Sequence, residues 1–119
     1  MPDFFNQSRF CDAQYLEFGE EEAIILTRIE AKRFVRKSCK HFKMSTIPTL
    51  KFHAKKNLLQ SGLADSEANE ILVGTKPSVL TLSHELSHIF TKSGHTKRAW
   101  IMLYNIITYA RKNQYWKRS

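Results

Sequence analysis

No aspartate or glutamate follows Glu85 in this chain of 119 residues, although seven lysines and arginines do. No carboxylate side chain beyond that point is therefore available as a metal ligand or catalytic acid. Cysteine is also scarce: Cys11 and Cys39 are the only two. Lying far apart, they make neither a disulfide framework nor a Cys-x-x-Cys metal pair, and both read as small buried hydrophobes. Long apolar runs are missing too. The longest, Ala99 to Tyr104, falls far short of the ~20 residues that span a bilayer, so no membrane association is expected. The start, Met1-Pro2-Asp3-Phe4-Phe5, has no basic flank before an apolar stretch and does not read as a secretory signal. An intracellular protein, cytoplasmic or nucleoid-associated, is expected, and a monomer.

What is present is ordinary for one globular domain over 1–119: 42% hydrophobic and 25% charged residues. The net charge of +8 is unevenly spread. Up to Lys43 there are 8 basic against 7 acidic residues, and from Met44 onward 11 against 4. A basic C-terminal half would attract an anion, and nucleic acid is the commonest large one. A solvated tail that aids solubility would have the same composition.

The chain order predicts an α+β fold. Residues 1–18 read as an N-terminal arm or short helix. From Gly19 the pattern is helical: Glu20, Glu21 and Glu22 suit an N-terminus, and Arg36, Lys37 and Lys40 suit the other end. Ile25, Ile29, Val35, Cys39 and Phe42 would form its apolar stripe. Pro48 closes that region. Thr49 to Ala54 and Ile71 to Val73 read as strands, with a turn at Ser61-Gly62. Ser78 is an N-cap for a helix that Gly94 should end. A last helix runs from about Thr96 to Asn113, with Ala99, Leu103, Ile106, Ile107 and Ala110 as its core stripe.

The helix after Ser78 carries His84-Glu85-Leu86-Ser87-His88. Histidines at i and i+4 lie on one helix face and can point at one ion. Zinc takes neutral imidazole nitrogens in a tetrahedron and keeps a position open for water in catalytic sites. Glu85, next to His84, can reach that water as general base without ligating the metal. Val79, Leu82, Leu86, Ile89 and Phe90 mark a separate apolar side of the same helix. With no downstream carboxylate, His95 is left as third ligand, and the chain must turn near Gly94 to bring it back. Tyr104 and Tyr109 are placed to donate to a developing oxyanion, although core packing would also explain them. His41 reads as a surface residue at a helix end, and His53 as a strand residue or a group behind the ligands.

The string His84 to His88, then Ser93-Gly94-His95, then Trp100 resembles the SprT-like zincin metallopeptidases, which include the Spartan DNA–protein crosslink proteases. Gly62 to Val73 is similar to that group's Gly-containing segment leading into an Ile/Leu strand. The likeness spans about Leu58 to Trp100. Six residues separate His88 from His95, one more than in metzincins, and Thr91 stands where metzincins have glycine. The insert is shorter than in Spartan proteins, and no Cys-rich zinc ribbon follows. The resemblance implies a zincin-like fold and a zinc endopeptidase acting on proteins, including proteins attached to DNA. The competing reading is a non-catalytic zincin-like module that binds nucleic acid or a partner protein through its basic surface.

Overall fold

Thr27 and Glu30 exchange two hydrogen bonds: the Glu30 N–H donates to Thr27 Oγ1 at 3.1 Å, and the Thr27 N–H to Glu30 Oε1 at 2.9 Å. This capping box starts a new helix eight residues after Gly19, in the middle of the region the pattern reads as one helix. The structure, a computed structural model, describes residues 7–53 and 62–114. Its elements are α1 (Gln7–Glu17), α2 (Gly19–Glu22), α3 (Arg28–His41), β1 (Thr49–His53), β2 (Gly62–Asp65), β3 (Glu70–Gly74), α4 (Val79–Thr91) and α5 (Lys97–Asn113).

The long helix expected from Gly19 is thus two helices. Between them, the Leu26 N–H donates to Pro77 O at 2.8 Å and the Val79 N–H to Ile24 O at 2.9 Å. Pairing with the segment before α4 satisfies this backbone in an extended form, and the helix yields to it. The apolar stripe shifts accordingly. Ile25 and Ile29 are 54% and 71% exposed, while Ala31, Phe34, Val35 and Cys39 are buried. Arg28, Lys32, Arg36 and Lys40 stand on the outer side in water.

The three strands form a mixed sheet in the order β1-β3-β2. β1 runs parallel to β3, from Thr49 opposite Glu70 to His53 opposite Gly74, and β2 pairs antiparallel to β3. Ile71 and Val73 point from β3 into the core at the two-residue period of a half-buried strand. Ala54 and Ser61 lie outside the described residues. Gly62 is the first residue of β2.

α4 lies between two apolar clusters. Leu82, Leu86 and Ile89 join Phe34, Val35, Ile71 and Val73 in one; Leu80 joins Phe10, Phe18, Trp100 and Leu103 in the other. α5 has all five residues of its expected stripe buried and serves both clusters. Ser78 caps α4 through the Thr81 N–H, and Thr96 caps α5 through the Ala99 N–H. Glu21, 3% exposed, receives two hydrogen bonds from Arg111 at 2.7 and 2.9 Å, which tie α2 to α5. No described helix is long and apolar enough to cross a membrane.

α4 ends at Thr91, not at Gly94. Lys92 takes the left-handed conformation, with φ 50°, and Gly94 does not. A hydroxyl chain holds this turn: Thr91 Oγ1 lies 2.7 Å from Ser93 Oγ, which lies 2.9 Å from Thr96 Oγ1. These bonds help to offset the ~1–2 kcal/mol that a side chain adds in the left-handed region.

Candidate metal centre

His84 and His88 stand one turn apart on α4, and their Nε2 atoms are 3.0 Å from each other. The turn through Lys92 and Ser93 returns the chain so that His95 Nε2 comes to 3.3 Å from His84 Nε2. One ligand atom from each histidine lies within 4.8 Å of the other two. Neither Glu85 nor Cys11 belongs to this group.

The outward nitrogens decide which inward atoms carry lone pairs. His88 Nδ1 is 3.0 Å from the Ser93 carbonyl oxygen, which can only accept, so Nδ1–H donates and Nε2 is bare. His84 Nδ1 faces Gln14 Oε1 at 2.7 Å in the same sense. Two bare nitrogens 3.0 Å apart repel each other unless a cation joins them. A shared proton is disfavoured. Burial, then the neighbouring His88 and His95, lower His84 from 6.5 to about 3. Burial also lowers His88, against the opposing pull of the Ser93 and Gly94 backbone, and lowers His95. Metal–nitrogen bonds of 2.0–2.1 Å in a tetrahedron give an edge of about 3.3 Å between ligand atoms. The separations of 3.0 and 3.3 Å fit such an ion.

Glu85 is 6% exposed, and burial raises its carboxyl from 4.5 to about 8. The strand β2 passes directly against it. A Cβ at Gly62 would lie 3.0 Å from Glu85 Oε2, 3.1 Å from its Cγ and 3.2 Å from the Leu72 carbonyl. Gly62, expected in a turn, keeps room for this carboxylate. A cavity of about 580 Å³ opens over the three histidines and Glu85, walled by Cys11, Gln14 and Tyr15 from α1, by β2 and by the turn after α4.

The residues expected at the site divide cleanly. His84, Glu85, His88 and His95 come together around this cavity. Tyr104 and Tyr109 do not line it: Tyr104 is half-exposed beside Phe18, and Tyr109 stacks on His41 with ring centres 3.5 Å apart. Neither therefore stands on the cavity wall, where an oxyanion donor was expected. His41 is exposed at the end of α3, and His53 is a β1 residue outside the histidine group. Cys39 is buried, and burial pushes its thiol up to about 11. Cys11, by contrast, is half-buried on the cavity wall.

Pattern reading missed the contribution of α1. Phe10 meets the rings of His84 and His95 edge-on, at 5.3 and 4.9 Å, and Gln14 bonds His84. The signal was a spacing: Phe10, Gln14 and Phe18 recur every four residues, and all three are buried. Compared with protein-family models, with curated proteins and with solved structures, the chain matches none.

Proposed function

We propose that this protein is a zinc-dependent peptidase of the SprT-like zincin type, with His84, His88 and His95 as metal ligands and Glu85 as general base. The observation that carries this reading is the convergence of three neutral imidazoles beside a carboxylate that stays out of the ligand set. A structural zinc site has four protein ligands; three with an adjoining cavity leave a position for water. Zinc held there supplies Lewis acidity, lowering the pKa of water toward ~7 and polarising a carbonyl.

The chain's own groups do the rest. Glu85 takes a proton from the attacking water and hands it to the leaving amine. Burial raises its affinity for a proton, and a cation held by the three histidines would favour the ionised form that a base needs. Gly62 fixes where that carboxylate sits. Tyr15, on the cavity wall, replaces Tyr104 and Tyr109 as the tyrosine placed to meet a substrate.

The substrate of this reading is a protein or peptide, including proteins held on nucleic acid. Support for a polyanionic partner comes from a place the charge count concealed. The exposed strip Arg28, Lys32, Arg36 and Lys40 lies on α3, in the half of the chain with nearly balanced charge. Zinc analysis and a peptidase assay on the purified protein test the function. Expected are one zinc per chain, cleavage of an unfolded protein substrate, and loss of both on His95→Ala. A wild-type protein that takes up no zinc sinks the reading.

A further inference from the structure

Gln14 lies in the middle of an otherwise apolar row. Its neighbours at four-residue spacing, Phe10 on α1 and Phe18 just beyond its end, are 0% and 1% exposed, and Gln14 itself is 5% exposed. Burying an amide without a partner is unfavourable, so an apolar side chain would be the simpler occupant of this row. The amide has a specific partner seventy residues away: Gln14 Oε1 sits 2.7 Å from His84 Nδ1.

The consequence falls on the other side of the imidazole. A neutral histidine carries one proton, on one of two nitrogens. With an acceptor at Nδ1, the proton stays there and Nε2 faces His88 and His95 as a lone pair. Without that acceptor, Nδ1–H would be a buried donor lacking a partner, and the proton would be free to move to Nε2, where it blocks ligation. Of the two histidines on α4, His88 has its Nδ1 held by the Ser93 backbone carbonyl, which no substitution of a side chain removes. His84 alone depends on a side chain.

We infer that Gln14 is a positioning residue of the metal centre: it fixes the tautomer and ring orientation of His84, and through them sets metal affinity. α1 is then part of the site and not an arm beside it. The inference rests on the metal-binding reading above. Acceptors behind a ligating histidine characteristically govern affinity by 10- to 100-fold.

The test measures zinc affinity by chelator competition, and the ligand field by the visible absorption of the cobalt-loaded protein. Gln14→Leu, which keeps the bulk and removes the acceptor, is expected to weaken zinc binding about 10- to 100-fold. Its cobalt spectrum should change, while the metal-free protein melts within a few degrees of wild type. Gln14→Glu keeps an acceptor and is expected to bind zinc at least as tightly as wild type. Unchanged affinity in Gln14→Leu overturns the inference and leaves the metal site standing. Weakened affinity in Gln14→Glu overturns it as well, even where the leucine variant does not fold. A wild-type protein that binds neither metal overturns both.

Discussion

α3 and α4 are helices of nearly equal length, 14 and 13 residues, and each has one apolar and one polar side. Their polar sides have opposite fates. On α3, Lys32, Arg36 and Lys40 stand in water, where long aliphatic stems carry the charges outward, and Arg28, also exposed, lays its guanidinium over the Phe52 ring at 5.1 Å. On α4, Thr81, His84 and Glu85 are each at most 8% exposed, under α1 and β2. Burial leaves the imidazoles neutral and holds the carboxyl protonated well above its usual range. A solvated polar stripe makes few demands on its sequence. A buried stripe is tolerable only where its polar groups bond to each other, to a neighbour or to a ligand.

The largest effect that would break or sharpen this contrast is on catalysis. Glu85→Gln removes the base while keeping the shape, and peptidase activity should fall about 10²- to 10⁴-fold with zinc content unchanged. Full activity in that variant would leave the buried carboxylate without a catalytic role. Next comes Gly62→Ala, whose methyl would press on Glu85 Cγ and Oε2. A shift of a few tenths of an ångström should lower kcat about tenfold, because a 1 Å misplacement is worth about 10²-fold. Zinc affinity should stay as it is, and steady-state kinetics beside metal titration would separate the two effects.

A smaller effect concerns the metal-free protein and pH. Glu85 titrates near 4.5 unfolded and about 8 folded, so the fold holds its proton longer. Its contribution to stability is complete below 4.5 and is lost as pH rises through 8. His84 titrates near 6.5 unfolded and about 3 folded; its contribution is complete above 6.5 and is lost as pH falls through 3. His88 and His95, also lowered, act in the same sense as His84, so with chelator present the melting temperature should be highest in the upper part of the window between 4.5 and 8. Glu85→Gln should abolish the decline on the alkaline side, and an unchanged decline would mean that another group causes it. The smallest effect belongs to α3. Arg36→Gln should change stability by no more than about 0.5 kcal/mol, measured by denaturant unfolding, and leave peptide hydrolysis intact.

Much of this was legible one element at a time. The cap Ser78, the start of α5 near Thr96, the stripe Ala99 to Ala110 and the paired histidines of α4 all depend on contacts three or four residues apart, which a helix dictates by itself. The break between α2 and α3 was not legible as a whole, although Thr27 and Glu30 signalled its far end. The backbone of residues 24–26 leaves the helix for partners at Pro77 and Val79, which lie far along the chain. The end of α4 was misplaced because Gly94 is the residue type best suited to a left-handed turn. Hydroxyl bonds among Thr91, Ser93 and Thr96 hold Lys92 there instead.

The sequence by itself determined which groups could meet an ion: two imidazoles at helical spacing, a glutamate beside them, and one further histidine in a stretch with no competing carboxylate. Only the tertiary structure decided what those groups are. It laid α1 over the histidines so that Gln14 sets the proton on His84, and it ran β2 past Glu85 at Gly62. It also buried His84 and Glu85 at the foot of the cavity while leaving the polar side of α3 exposed. The physical reason is that spacing along a helix is a local property, whereas desolvation and hydrogen-bond partnership depend on which distant segments pack against it.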